Sequence, residues 1–207
     1  GTIIKTTNAG DNWTVTSTYT KNSIRSVFFL NENTGFACGL NGTVLNSTDG
    51  GLKWSKIILN TTGNLFCIKF SGNTGFISGD TGVVFKTTNS GANWERKTTN
   101  VTRTLTSIAI QNSLVISAGL NGTVIRSTDS GETFQTVNPN NTNYFFDIMF
   151  RDSATSFISG AYGTILRSTN SGISWNPMST STNRWFYSIA FGDQNTGFAT
   201  SDYGNIS

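Results

Sequence analysis

Carboxylates, hydroxyls, thiols and amides are the side chains here that could do chemistry, and histidine is absent from all 207 residues. Histidine-based acid–base or nucleophilic catalysis therefore has no residue to use. With Cys38 and Cys67 as the two cysteines, side chains also fall short of the usual zinc ligand set. The remaining catalytic class is a pair of carboxylates. A glycosidase needs two of them at a defined separation, one kept protonated. Asp80 and Asp202 recur at equivalent places in two turns and are the pair that could meet that need, whereas Asp147 stands alone on a strand. No metal site and no cofactor are expected.

A denser concentration of polar groups lies in a phrase written five times: GTIIKTTNAGDNW from Gly1, GTVLNSTDGGLKW from Gly42, GVVFKTTNSGANW from Gly82, GTVIRSTDSGETF from Gly122 and GTILRSTNSGISW from Gly163. Convergent hydroxyls and carboxylates look like a site, but turn chemistry accounts for each residue type. Asp or Asn accepts from amides of its own turn, Gly supplies a positive φ, and Ser or Thr ties the strand end. The hydroxyl falls on Thr6, Ser47, Thr87, Ser127 and Ser168, and the acceptor on Asn8, Asp49, Asn89, Asp129 and Asn170. Gly10, Gly51, Gly91, Gly131 and Gly172 turn the chain. Trp13, Trp54, Trp94, Phe134 and Trp175 are expected to pack beneath the hairpin.

The elements that position these phrases follow from their spacing. A second phrase precedes each later copy, at Val27, Ile68, Ile108, Ile148 and Ile189, so each repeat of about forty residues holds four short β-type runs. That is the size of a β-propeller blade, which buries its faces only against its neighbours. Helical spacing of apolar residues is missing, and 22 Gly with only 2 Pro suit many tight turns. The fold class is all-β: a propeller, or an arc of one, built of four-stranded antiparallel blades. The chain divides into a half blade holding the third and fourth strands (1–23), four blades (24–64, 65–104, 105–143 and 144–184) and a half blade holding the first and second strands (185–207). Complementary halves would allow a closed five-bladed ring. However, Gly204 to Ser207 and Gly1 to Ile4 copy the same strand opening, which favours a piece of a longer array.

These residues resemble the Asp box, or BNR repeat. The combination of NTGF-A-x-G with NGT-V/I-I/L-K/R-T/S-T-D/N-x-G-x-x-W is similar to the repeats of the photosystem II assembly and stability factor family. The resemblance implies a secreted or lumenal propeller that binds proteins and has no reaction of its own, with the Asp-box hairpins on the side away from ligands. Photosynthetic members are associated with an arginine-rich patch. Here the positions read as equivalent to Arg25 hold Phe66, Thr106, Phe146 and Phe186, which points to a relative outside photosynthesis.

In a blade, the connections into the first strand and between the second and third strands emerge on one rim. The candidate binding residues on that rim are Arg25, Asp80, Tyr144, Tyr162, Arg184, Trp185, Asp202 and Tyr203, because Tyr, Trp and Arg dominate protein-binding hot spots. Phe66, Phe146, Phe186 and Trp185 also fit packing between blades. Lys5, Lys86, Arg126 and Arg167 share a column read as solvated. A net charge of +3 without a basic run argues against nucleic acid, and no stretch is apolar and long enough to span a bilayer. The leading function is a non-catalytic, extracytoplasmic, bacterial-type scaffold for a protein partner. The alternatives are a glycan-binding or glycan-hydrolysing propeller, and a structural repeat that self-assembles through its cut ends.

Overall fold

The computed structural model describes residues 1–202; Tyr203 and the Gly204–Ser207 strand copy lie outside the described residues. The opening hairpin pairs β1 (Ile3–Lys5) with β2 (Thr14–Thr16). Four antiparallel four-stranded sheets follow. The first is β3 (Ile24–Phe29), β4 (Gly35–Gly39), β5 (Thr43–Ser47) and β6 (Ser55–Ile57). The second is β7 (Leu65–Ser71), β8 (Thr74–Gly79), β9 (Val84–Thr87) and β10 (Glu95–Lys97), and the third β11 (Leu105–Gln111), β12 (Leu114–Gly119), β13 (Val124–Ser127) and β14 (Gln135–Val137). The fourth comprises β15 (Phe145–Phe150), β16 (Ser156–Gly160), β17 (Ile165–Ser168) and β18 (Asn176–Pro177). A last hairpin pairs β19 (Phe186–Phe191) with β20 (Gly197–Ser201). Among the described residues, β1–β2 and β19–β20 are separate two-stranded sheets.

Each blade is a meander, and the first strands β3, β7, β11, β15 and β19 lie side by side, blade against blade. A polar belt ties them together. Ile68 N–H donates to Ser26 Oγ (3.2 Å), and the Asp147 carboxylate accepts from Ser107 Oγ (3.0 Å), Ser188 Oγ (3.0 Å) and Ile189 N–H (3.1 Å). These bonds satisfy edge groups that a blade cannot pair within its own sheet.

The second strands show why packing is a neighbour effect. β4, β8, β12 and β16 are buried at nearly every residue because a blade covers each face, whereas β20, of the same sequence type, leaves Phe198 70% exposed. Apolar side chains from adjacent sheets merge into shared clusters. One joins Phe36 and Val44 of the first blade with Ile68, Phe70, Ile77 and Phe85 of the second.

Column assignment needs one correction. A bulge falls between Ile24 and Ser26, and again between Phe186 and Ser188, so the partner of Arg25 in the last half blade is Tyr187 rather than Phe186. Phe186 belongs with Ile24, Leu65, Leu105 and Phe145, and it is buried like the last three. The basic column is also corrected. Lys86 is only 5% exposed and pairs with Glu132 of the next blade at 2.6 Å, and Arg126 Nε donates to the Ser171 carbonyl of the next blade at 2.7 Å. These cations bolt one blade to the hairpin of the next.

Candidate functional site

The lower rim carries the five repeated hairpins. In each, the Ser or Thr hydroxyl donates to the Asp or Asn two residues on: Thr6 to Asn8 (2.9 Å), Ser47 to Asp49 (2.8 Å), Thr87 to Asn89 (2.9 Å), Ser127 to Asp129 (2.6 Å) and Ser168 to Asn170 (2.9 Å). The same hydroxyl accepts the N–H of Gly10, Gly51, Gly91, Gly131 or Gly172 at 2.8–3.0 Å. The acidic or amide oxygen then accepts a backbone N–H four residues on. Gly91 is held at φ +82°, and a Cβ there would collide with the Phe36 ring of the preceding blade. The turn's own bonds hold Asp49 and Asp129 below the ordinary carboxylate range, through the Lys53 N–H first for Asp49 and the Ser127 hydroxyl first for Asp129. Such groups brace a turn.

Trp54, Phe134 and Trp175 are buried beneath their hairpins. Trp54 meets Phe29 of its own blade edge-on at 5.8 Å, and Trp94, half-buried, meets Phe70 at 5.7 Å. Trp13 departs from the expectation, being 57% exposed, because its half blade has no first and second strands to cover it.

The upper rim is laid out by backbone bonds that join each second turn to the start of its own first strand and to the connection beyond. Ala161 N–H donates to the Tyr144 carbonyl (2.8 Å), Gly163 N–H to Arg184 (2.6 Å) and Asp202 N–H to Trp185 (3.2 Å). These bonds bring Tyr144, Tyr162, Arg184, Trp185 and Asp202 to one stretch of rim. There Tyr162 stands edge-on to Trp185 at 5.7 Å. Phe146 lies between Trp185 (5.6 Å) and Tyr187 (5.0 Å), with both rings tilted by 31°. Tyr162 is 60% exposed, Tyr144 and Tyr187 are also exposed, and Phe146 and Trp185 are half-buried.

Arg25 and Asp80 lie apart from this platform. Arg25 is exposed at the far end, lining a crevice with Thr2, Ile4 and Val27. Asp80 accepts the Asn64 N–H (3.1 Å) and the Thr104 hydroxyl (2.9 Å), and Asp202 accepts the Trp185 N–H (2.9 Å). Both carboxylates therefore cap a turn against the start of the first strand. Sequence reasoning missed Tyr187, placed one residue out of column, and left Phe146 between the rim and packing between blades. The signal that could have found both is the alternation of Phe146 with Asp147 and of Tyr187 with Ser188 across the bulge.

Cys38 and Cys67 are buried and unbonded, and burial pushes both thiols up. Among the described residues no group of three or more Cys, Asp or Glu could hold a metal, and no helix is long and apolar enough to cross a membrane.

The fold and the two rims define a class: a β-propeller arc of Asp-box blades. The model of one family, described as photosynthesis system II assembly factor YCF48, matches residues 4–103 of this chain. A solved structure of YCF48 bound to D1 peptide is similar over 89% of this chain and 92% of that one, at 17% identity and TM-score 0.53. YCF48 from Cyanidioschyzon merolae is similar over 97% and 86%, at 16% identity and TM-score 0.58. A GH74 enzyme of Niastella koreensis is similar over 87% of this chain and 34% of its own, at 18% identity and TM-score 0.73. At these identities the likeness is one of fold. No curated protein matches.

Proposed function

We propose that this chain is a non-catalytic scaffold that holds a segment of a protein partner on the aromatic stretch of its upper rim. The observation that carries the reading is the platform of Phe146, Tyr162, Trp185 and Tyr187, with Tyr144 beside it. Exposed Tyr144, Tyr162 and Tyr187 stand against the half-buried Trp185 and Phe146, and Tyr and Trp are residue types that dominate binding hot spots. YCF48, whose solved structure is similar in fold, is bound to D1 peptide there, which supports a peptide ligand for this fold.

The hydrolytic alternative has less to stand on. Asp80, Asp147 and Asp202, the acids of the rim and inner belt, are each engaged in local bonds. Likeness to a GH74 enzyme is a matter of fold, and a fold of this kind hosts unrelated functions. An extracytoplasmic setting rests on the family resemblance and is tested by fractionating the source cells.

A random-peptide display library selected on the immobilised protein tests the reading. Selected peptides should bind wild type and lose at least tenfold in affinity to Trp185→Ala. Peptides that bind both equally would refute the rim as the site.

A further inference from the structure

The platform's chemistry is one-sided. The acids near it are already engaged. Asp202 accepts the Trp185 N–H, the two Asp147 oxygens take Ser107, Ser188 and the Ile148 and Ile189 amides, and Asn143 Nδ2 donates to Thr164. What is left is aromatic faces together with donors: the hydroxyls of Tyr144, Tyr162 and Tyr187 and the indole N–H of Trp185, none with a hydrogen-bond partner among the described residues. A surface of this kind suits a ligand rich in carbonyl acceptors, poor in donors, and lined with aliphatic ring faces. A sugar can answer those donors with its hydroxyl oxygens, but each of its hydroxyls brings a donor of its own that needs an acceptor. An ordinary strand offers an N–H for every carbonyl.

A second observation concerns Tyr162. It is held at φ +56°, in the turn position where the other blades place Asn41, Thr81 and Asn121. A left-handed conformation is tolerated by Asn and is strained for a bulky ring, and such strain gathers at functional sites. Nothing in the turn asks for tyrosine. The ring's one aromatic neighbour is Trp185, the edge of the platform.

We infer that the platform takes a proline-rich segment in the extended polyproline conformation, whose residues lack N–H groups, expose every carbonyl and lay pyrrolidine rings on aromatic faces. The inference rests on the proposed peptide-binding reading and names the peptide's chemistry. Proline rings would sit on Trp185, Phe146 and Tyr187, and the Tyr144 and Tyr162 hydroxyls would donate to the carbonyls between them.

The test uses the purified 207-residue chain and a random dodecapeptide display library. The best selected peptides are then synthesised for fluorescence titration, with cello-oligosaccharide as a second probe. Tyr162→Asn is the decisive variant, because it restores the residue type that the turn prefers and leaves folding intact. Prolines spaced two or three apart should be enriched several-fold over the starting library, and affinity should fall at least tenfold in Tyr162→Asn. Binders that depend on Tyr162 but show no proline enrichment would overturn this inference and leave the peptide-binding reading standing. Binders indifferent to Tyr162 and Trp185, or no binders at all, would overturn both. Oligosaccharide binding lost in Tyr162→Asn would replace peptide with glycan.

Discussion

The two rims are made from the same repeat and do opposite things with it. On the lower rim, five copies form the same bonds at nearly the same distances, from Thr6 and Asn8 to Ser168 and Asn170, and their polar groups are spent within the turn. On the upper rim the copies diverge. Ser23, Asn64 and Thr104 give way to Tyr144 and Trp185, and Asn41, Thr81 and Asn121 give way to Tyr162. Uniformity marks what every blade needs in order to stand beside its neighbour. Divergence marks the stretch proposed here to meet a partner.

The comparison breaks most visibly at Trp54. Truncating this buried ring to Ala should cost about 3–5 kcal/mol in chemical denaturation. A loss below about 1 kcal/mol would show that the lower rim does not hold the blade. Ser127→Ala comes next. The hydroxyl donates to Asp129 and accepts the Gly131 N–H at 2.8 Å, so its removal orphans a buried amide and should cost about 1–3 kcal/mol. Urea titration of Ser127→Ala beside wild type measures it.

Acid sharpens the same comparison, since two of the five boxes use Asp and three use Asn. Asp49 and Asp129 titrate below their unfolded values, so the stability they contribute is present above the ordinary carboxylate range and is lost as pH falls through the lowered values. Glu132, paired first with Lys86 and then Lys97, and Asp152, lowered to about 2 by the Ala154 and Thr155 amides, act in the same direction. The melting temperature should therefore drop between about pH 4 and pH 2. The double variant Asp49→Asn with Asp129→Asn, which turns both boxes into the Asn kind, should flatten that limb; an unchanged limb would place the acid sensitivity elsewhere. The smallest effect is expected at Trp13. Exposed and uncovered, it should lose less than about 1 kcal/mol on truncation to Ala, and a loss matching that of Trp54 would contradict the exposed position seen here.

What the sequence discloses follows from the range of each interaction. The box bonds close within four residues, so Ser127, Asp129 and Gly131 announce their roles in a seven-residue window. The blade period is equally plain, because a blade is a local meander. The burial of Lys86 depends on Glu132, 46 residues away, and the capping role of Asp80 on Asn64 and Thr104 in two other connections. Neither partner is visible in the column that contains the residue. Trp13 reads like its four counterparts, yet its exposure is decided by strands absent from its half blade. The slip from Phe186 to Tyr187 is one of register: each first strand carries the same bulge, and Phe186-Tyr187-Ser188 runs against Ile24-Arg25-Ser26.

The central claim is that the lower rim carries stability and the aromatic upper rim carries recognition. Its most direct test is one variant read two ways: Tyr162→Asn, followed by melting temperature and by affinity for a library-selected peptide. The account predicts a melting temperature equal to or slightly above wild type, as Asn relieves the left-handed turn, together with at least a tenfold loss of affinity. A lowered melting temperature with unchanged affinity would make Tyr162 one more structural residue and would contradict the division between the rims.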